Sequence, residues 1–171
     1  MRRQIRTERL KDSSYHALME ARRWRAVARK IDDEKSLCRE KSAILAYAIE
    51  LCLKSILMYS GTNITEINIG NGHDLLKLFT LLPQNIKNDM MRDVVFEPIE
   101  IRDFISEEVI HKYSTFEEIM KLVSNDFFEM RYVYEKYANG EPVLIIEGVL
   151  DLIYEYVVRV ANDMLKTGGY L

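Results

Sequence analysis

The sequence predicts an all-α fold, an up-and-down bundle of about five or six helices, and three observations predict it. Apolar residues recur at spacings of three and four along most of the chain, not in the alternation of strands. Only seven glycines and three prolines interrupt 171 residues, so breaks are confined to a few places. Hydrophobic residues make up 48% of the chain, enough for one sizeable core. Residues 1–171 are therefore read as a single domain, with a basic first helix in 1–35 and a helical body in 36–166.

The first helix places Leu10, Ala17, Ala21, Trp24, Ala28 and Ile31 on one amphipathic face, with Arg22, Arg25 and Arg29 on another. A second helix runs from about Ser36 to Ser60 and is apolar nearly all round from Ala43 onward, as expected of a central element. Gly61 is suited to the left-handed residue that closes it, and a polar loop follows to Gly72. His73 and Asp74 open a short helix with Leu75, Leu78, Phe79 and Leu82 on its apolar side, ended by Pro83. A helix at Asn85–Val95, a break at Pro98 and another short helix near Ile101–His111 come next. From Ser114 to about Tyr137, Phe116, Met120, Val123, Phe127, Met130 and Tyr134 form a regular stripe. Asn139, Gly140 and Pro142 turn the chain into a last helix carrying Val143, Ile146, Leu150, Ile153, Val157, Val160 and Met164. Its second apolar line, Ile145, Val149, Leu152 and Tyr156, packs either within the bundle or against a second copy.

Charge is unevenly spread. Residues 1–30 hold ten Lys or Arg against three Asp or Glu, while the formal net charge of the chain is -3. Residues 97–155 hold fourteen Asp or Glu against five Lys or Arg, so the basic face of Arg22, Arg25 and Arg29 meets either a phosphate backbone or this acidic body. Cys38 and Cys52 lack CxxC or Cys/His ligand spacing, so neither a zinc site nor a disulfide framework is expected, and a reducing, cytoplasmic setting is the simplest. No signal-peptide pattern opens the sequence. Glu50 and Lys54 interrupt the most apolar run, which argues against a membrane span. There is no P-loop, GxGxxG, HExxH or nucleophile elbow, and no cofactor or metal is implied.

Three segments, in order, carry a resemblance: Ala46-Tyr47-Ala48-Ile49-Glu50-Leu51-Cys52-Leu53-Lys54-Ser55-Ile56-Leu57, Gly72-His73-Asp74-Leu75-Leu76-Lys77-Leu78, and Asn125-Asp126-Phe127-Phe128-Glu129-Met130-Arg131-Tyr132-Val133-Tyr134-Glu135. Together they resemble the HEPN domain, a helical family named for nucleotide binding in higher eukaryotes and prokaryotes. The resemblance covers roughly Ser36 to Lys166. It implies a helical bundle that pairs into a homodimer. It also implies one of two roles: a metal-independent ribonuclease of toxin–antitoxin, phage-defence or RNA-processing systems, or a non-catalytic module partnering a nucleotidyltransferase or another protein.

In nuclease members an Arg is followed, after four to six residues, by a His. The cation steadies the scissile phosphate and the imidazole moves a proton as the ribose 2′-hydroxyl attacks. The matching Arg here is Arg131, and no His follows it. His73 is the histidine of the Gly-His-Asp segment, and with Arg131 and Glu135 it completes the set of candidate catalytic residues. Arg131 is also a candidate to bind phosphate while Tyr132 or Tyr134 stacks a base; the alternative is an i,i+4 pair with Glu135. Ser124, Phe128, Arg131 and Glu135 share one helical strip. Glu50 and Lys54, four apart in an apolar helix, either pair with each other or with Arg131, or complete a polar pocket for nucleotide or RNA.

Overall fold

Helix α1 spans Arg2–Lys30, and what decides its packing is a seam of small residues. In the computed structural model, which describes residues 2–31, 38–63, 65, 67, 73–93, 116–131 and 147–170, Ser14, Leu18, Ala21 and Ala28 are buried along one side of α1. The expected stripe through Ala21 and Ala28 is therefore rotated, and Trp24, placed on it from the sequence, is 38% exposed. Ser and Ala at the seam let α1 lie close to its neighbour. No room for an indole remains there, and Trp24 sits on the flank with its ring edge-on to Tyr47.

That neighbour is α2 (Cys38–Tyr59), which is buried on nearly every side, as its all-round apolar pattern predicts. Ser14 meets Ser55 and Trp24 meets Tyr47, so α1 and α2 run antiparallel. The Ser14–Ser55 contact is reciprocal. Ser14 Oγ donates to the Ser55 carbonyl at 2.7 Å and Ser55 Oγ donates to the Ser14 carbonyl at 2.8 Å, satisfying two buried hydroxyls at the seam. Gly61 closes α2 with φ 95°, its N–H reaching the Met58 carbonyl while Thr62 N–H reaches that of Leu57, the double bond of a Schellman closure. By length and composition Glu40–Tyr59 would suffice to cross a bilayer, yet within this chain it is mostly covered by other helices.

Helix α3 (Leu75–Thr80) buries Leu75, Leu78 and Phe79. Pro83 ends it and at once begins α4 (Gln84–Asp93), because its carbonyl accepts from Lys87 N–H. Helix α5 (Phe116–Arg131) buries Phe116, Met120 and Val123 of the expected stripe, with Ile119 buried beside them. Phe79 and Phe116 meet edge to face, and Leu76 N–H reaches Ser124 Oγ, so α5 runs antiparallel to α3. Helix α6 (Glu147–Thr167) buries Leu150, Ile153, Val157, Ala161 and Leu165. Contacts of Lys41 with Asp151, and of Lys11 with both Tyr59 and Tyr170, set α6 parallel to α2. Of the second apolar line of α6, Val149 is fully buried and half-buried Tyr156 packs on Phe116, Leu152 is half-buried, and Ile145 lies outside the described residues.

The result is an all-α architecture, with six helices and no strand among the described residues, in which α2 touches α1, α3, α5 and α6. The helix expected near Ile101–His111, the stretch of the α5 stripe beyond Arg131 and the start of the last helix before Glu147 lie outside the described residues.

Two buried acids give the core an alkaline limit. Burial pushes the Cys52 thiol far above its ordinary value of 9.0, with Arg22 opposing and Glu155 adding. Burial likewise raises Tyr154 above 10.0, with Cys52 and Glu155 adding. The unfolded chain releases these protons near the ordinary values while the folded chain keeps them. Stability is therefore fully present below about pH 9 and falls as pH rises, by about 1.4 kcal/mol per pH unit for each group ionised only in the unfolded state. Urea midpoints at pH 8 and pH 10.5 check this; equal midpoints would exclude it.

Candidate functional site

The first and second segments of the sequence pattern meet in a polar cluster between α2 and α3. Glu50 is 1% exposed, and a carboxylate so buried requires partners. It has two: Lys54 Nζ lies 2.8 Å from Oε1, one turn along α2, and His73 Nδ1 lies 3.0 Å from Oε2 across the helix gap. The pairing of Glu50 with Lys54 is thus as the i,i+4 spacing predicts, and His73 is added to it. His73 keeps its ring at the surface, with 49% of the side chain exposed.

Asp74, next along the chain, ties down the start of α3. Its carboxylate caps α3 by accepting from Lys77 N–H at 2.9 Å, and the same oxygen, Oδ1, accepts from Ser124 Oγ of α5 at 2.6 Å. Ser124 Oγ also accepts from Leu76 N–H at 3.2 Å. One hydroxyl and one carboxylate thereby lock the start of α3 to α5. Asp74→Ala removes the cap and the interhelical bond together and is expected to destabilise the chain by about 1–2 kcal/mol. Thermal melts read the loss, and a change within 0.3 kcal/mol, on the order of a neutral surface substitution, would show that the cap is dispensable.

Arg131 closes α5. Because α5 runs antiparallel to α3, its course past Ser124 leads beyond the end of α3 that His73 precedes, and Arg131 stands two helical turns after Ser124. The side chain of Arg131, and Tyr132, Tyr134 and Glu135 altogether, lie outside the described residues.

The three arginines of α1 are placed elsewhere, against α6. Arg25, only 12% exposed, sets Nη2 2.9 Å from Asp151 Oδ1 and Nε 3.7 Å from Glu155 Oε1, with its guanidinium 5.7 Å from the Tyr154 ring centre. Arg29 reaches Glu155 at 3.3 Å, and Arg22 donates to Asn162 Oδ1. Lys41 of α2, 8% exposed, adds a second buried cation 3.8 Å from Asp151 Oδ2. The docking of basic α1 on the acidic body is therefore realised for Arg25 and Arg29. Asp151 and Lys41 were not singled out in the sequence, because a charge in a helical stripe looks like any solvated position until its partner helix is known.

A cleft of about 450 Å³ between α2, α4 and α6, lined by Tyr59, Asn85, Ile86, Asp89, Asp163 and Met164 among others, contains none of the residues predicted for the site. No family model, no curated protein and no solved structure matches the chain.

Proposed function

We propose that this chain is a HEPN-like protein of an RNA- or nucleotide-handling system, of toxin–antitoxin, phage-defence or RNA-processing type, with its site where α2, the start of α3 and the end of α5 converge. One observation carries the reading: Glu50 and His73, from two segments 23 residues apart, form a single surface-reaching polar cluster with Lys54. Ser124, on the helix of the third segment, bonds to the residue next to His73. In this reading Arg131 holds a phosphate, Tyr132 or Tyr134 stacks a base, Glu135 adjoins them, and neither metal nor cofactor takes part. The compartment is the cytoplasm.

Fluorescence anisotropy with a labelled single-stranded RNA and with free nucleotides tests the reading. Binding is expected for the wild type, and Arg131→Ala is expected to weaken it by roughly tenfold or more, the worth of a charge-assisted contact. Absence of binding to either ligand would reject it.

A second reading, a non-catalytic homodimeric module that partners a nucleotidyltransferase or other protein, is favoured by a different observation. Trp24 and Val27 are 38% and 41% exposed on α1, beside half-buried Tyr47, while the basic residues Arg25 and Arg29 are engaged by carboxylates. Sedimentation at micromolar concentration decides for or against self-association.

A further inference from the structure

We propose that the cleft between α4 and α6 is a binding site for a small amphipathic organic cation, a molecule with a protonated amine on an aromatic or aliphatic body. The cleft shares no residue with the polar cluster of Glu50 and His73, so the proposal is independent of the function read there. Each long wall is one helix face. Asn85, Ile86 and Asp89 stand three and four apart on α4, and Val160, Asp163, Met164 and Thr167 have the same spacings on α6. Tyr59, at the end of α2, closes the cleft beside Thr167. Gly168 follows there, and a side chain in its place would run into the Tyr59 hydroxyl, so the ring lies directly on the α6 backbone. Tyr156, one turn before Val160, directs its hydroxyl to the Asp89 carbonyl at 3.4 Å and ties the two walls together.

The chemistry of the lining selects the occupant. Ile86, Val160 and Met164 are half-buried, packed on the core from one side and open to the cleft on the other, so an apolar body resting there leaves water. The lip carries one carboxylate from each wall, Asp89 and Asp163, both exposed, and no Lys or Arg lines the cleft. Asp163 has no ion-pair partner among the described residues. Two cations at the ends are drawn onto aromatic rings instead: Lys11 lies 5.5 Å from the centre of Tyr59 and Arg159 lies 4.8 Å from that of Tyr156. Two carboxylates over an apolar floor repel a phosphate or a carboxylate ligand and attract an ammonium group, whose N–H donors they accept. The volume, about 450 Å³, lies within the roughly 300–1,000 Å³ of small-molecule sites.

The test titrates full-length protein, ¹³C-labelled at its methyl groups, and follows the signals of Ile86, Val160 and Met164. Four probes are compared: phenethylamine and hexylamine as cations, phenethyl alcohol as the uncharged match, and hydrocinnamate as the anionic one. At least one amine is expected to shift the three methyl signals saturably, with the alcohol at least about tenfold weaker and the carboxylate without effect. Asp163→Asn should weaken the amine by about tenfold, the worth of one charge-assisted contact. Asn85→Arg, which puts a cation on the lip, should abolish binding. Both positions are exposed, and unchanged methyl signals elsewhere in the core report that the variants fold. No saturable shift with either amine up to about 10 mM would overturn the proposal. Equal binding of amine and alcohol, or an amine affinity unaltered in Asp163→Asn, would overturn it too, because a groove left by helix packing alone takes both without regard to charge.

Discussion

Replacing Asp151 with Ala is expected to destabilise the chain by about 3 kcal/mol, the low end of what breaking a buried ion pair costs. Asp151 is the carboxylate on which two buried cations converge: Arg25 Nη2 at 2.9 Å from one oxygen and Lys41 Nζ at 3.8 Å from the other. The Arg25 contact is close but out of line for a hydrogen bond, and Arg25 Nε and Nη1 are buried without a hydrogen-bond partner. Arg25 therefore depends on the field of Asp151 and Glu155 and on the face of Tyr154. Removing Asp151 takes from both buried cations the carboxylate they share. Asp151 itself is 28% exposed, which is why the low end of the range applies.

Arg29→Ala, which removes an ion pair between groups 63% and 54% exposed, is expected to change stability by less than about 1 kcal/mol. Urea unfolding followed by circular dichroism compares the two. A loss below about 1 kcal/mol for Asp151→Ala would mean that the Arg25–Asp151–Lys41 cluster behaves as a solvated surface pair and adds little to the seam.

How much of this was legible depends on which property the sequence encodes locally. Periodicity showed α2 to be central, because a helix apolar all round must be enclosed, and Gly61 and Pro83 marked its closure and the α3–α4 boundary, because their backbone restrictions act within a few residues. Rotation of α1 was not legible. Its apolar residues suit a face through Trp24 equally well, and only the partner helix reveals that the close approach at Ser14, Ala21 and Ala28 excludes an indole.

The candidate site divides in the same way. The Glu50–Lys54 pair is an i,i+4 contact and could be read in advance. The His73–Glu50 and Asp74–Ser124 bonds join residues 23 and 50 positions apart, and such pairings depend on how three helices are stacked. The placement of Arg25 against Asp151, 126 positions away, belongs to the same class; charge asymmetry predicted the partners' signs but not their names.

Phe79→Ala is expected to have the largest single effect, about 4 kcal/mol, a large share of the 5–15 kcal/mol that holds a typical domain together. Phe79 is 1% exposed and its ring meets Phe116 at 5.2 Å between centroids, inclined at 61°, an edge-to-face contact worth roughly 0.5–1.5 kcal/mol beyond the burial itself. Truncation leaves a cavity that α3 has little means to fill. With six residues, α3 makes too few internal hydrogen bonds to persist unaided and is held by Leu75, Leu78, Phe79 and the Asp74 cap. A softer change, Phe79→Leu, keeps most of the burial and is expected to cost about 1–2 kcal/mol. The consequence should reach the site, because α3 follows directly on His73, which meets Glu50: in Phe79→Ala the His73 ¹⁵N signals should shift even under conditions where circular dichroism still reports a folded chain. Denaturation curves for the two variants and the His73 spectrum of Phe79→Ala provide the check. A loss under about 2 kcal/mol with an unchanged histidine spectrum would show that α3 is held mainly by its cap and by α2, not by the Phe79–Phe116 contact.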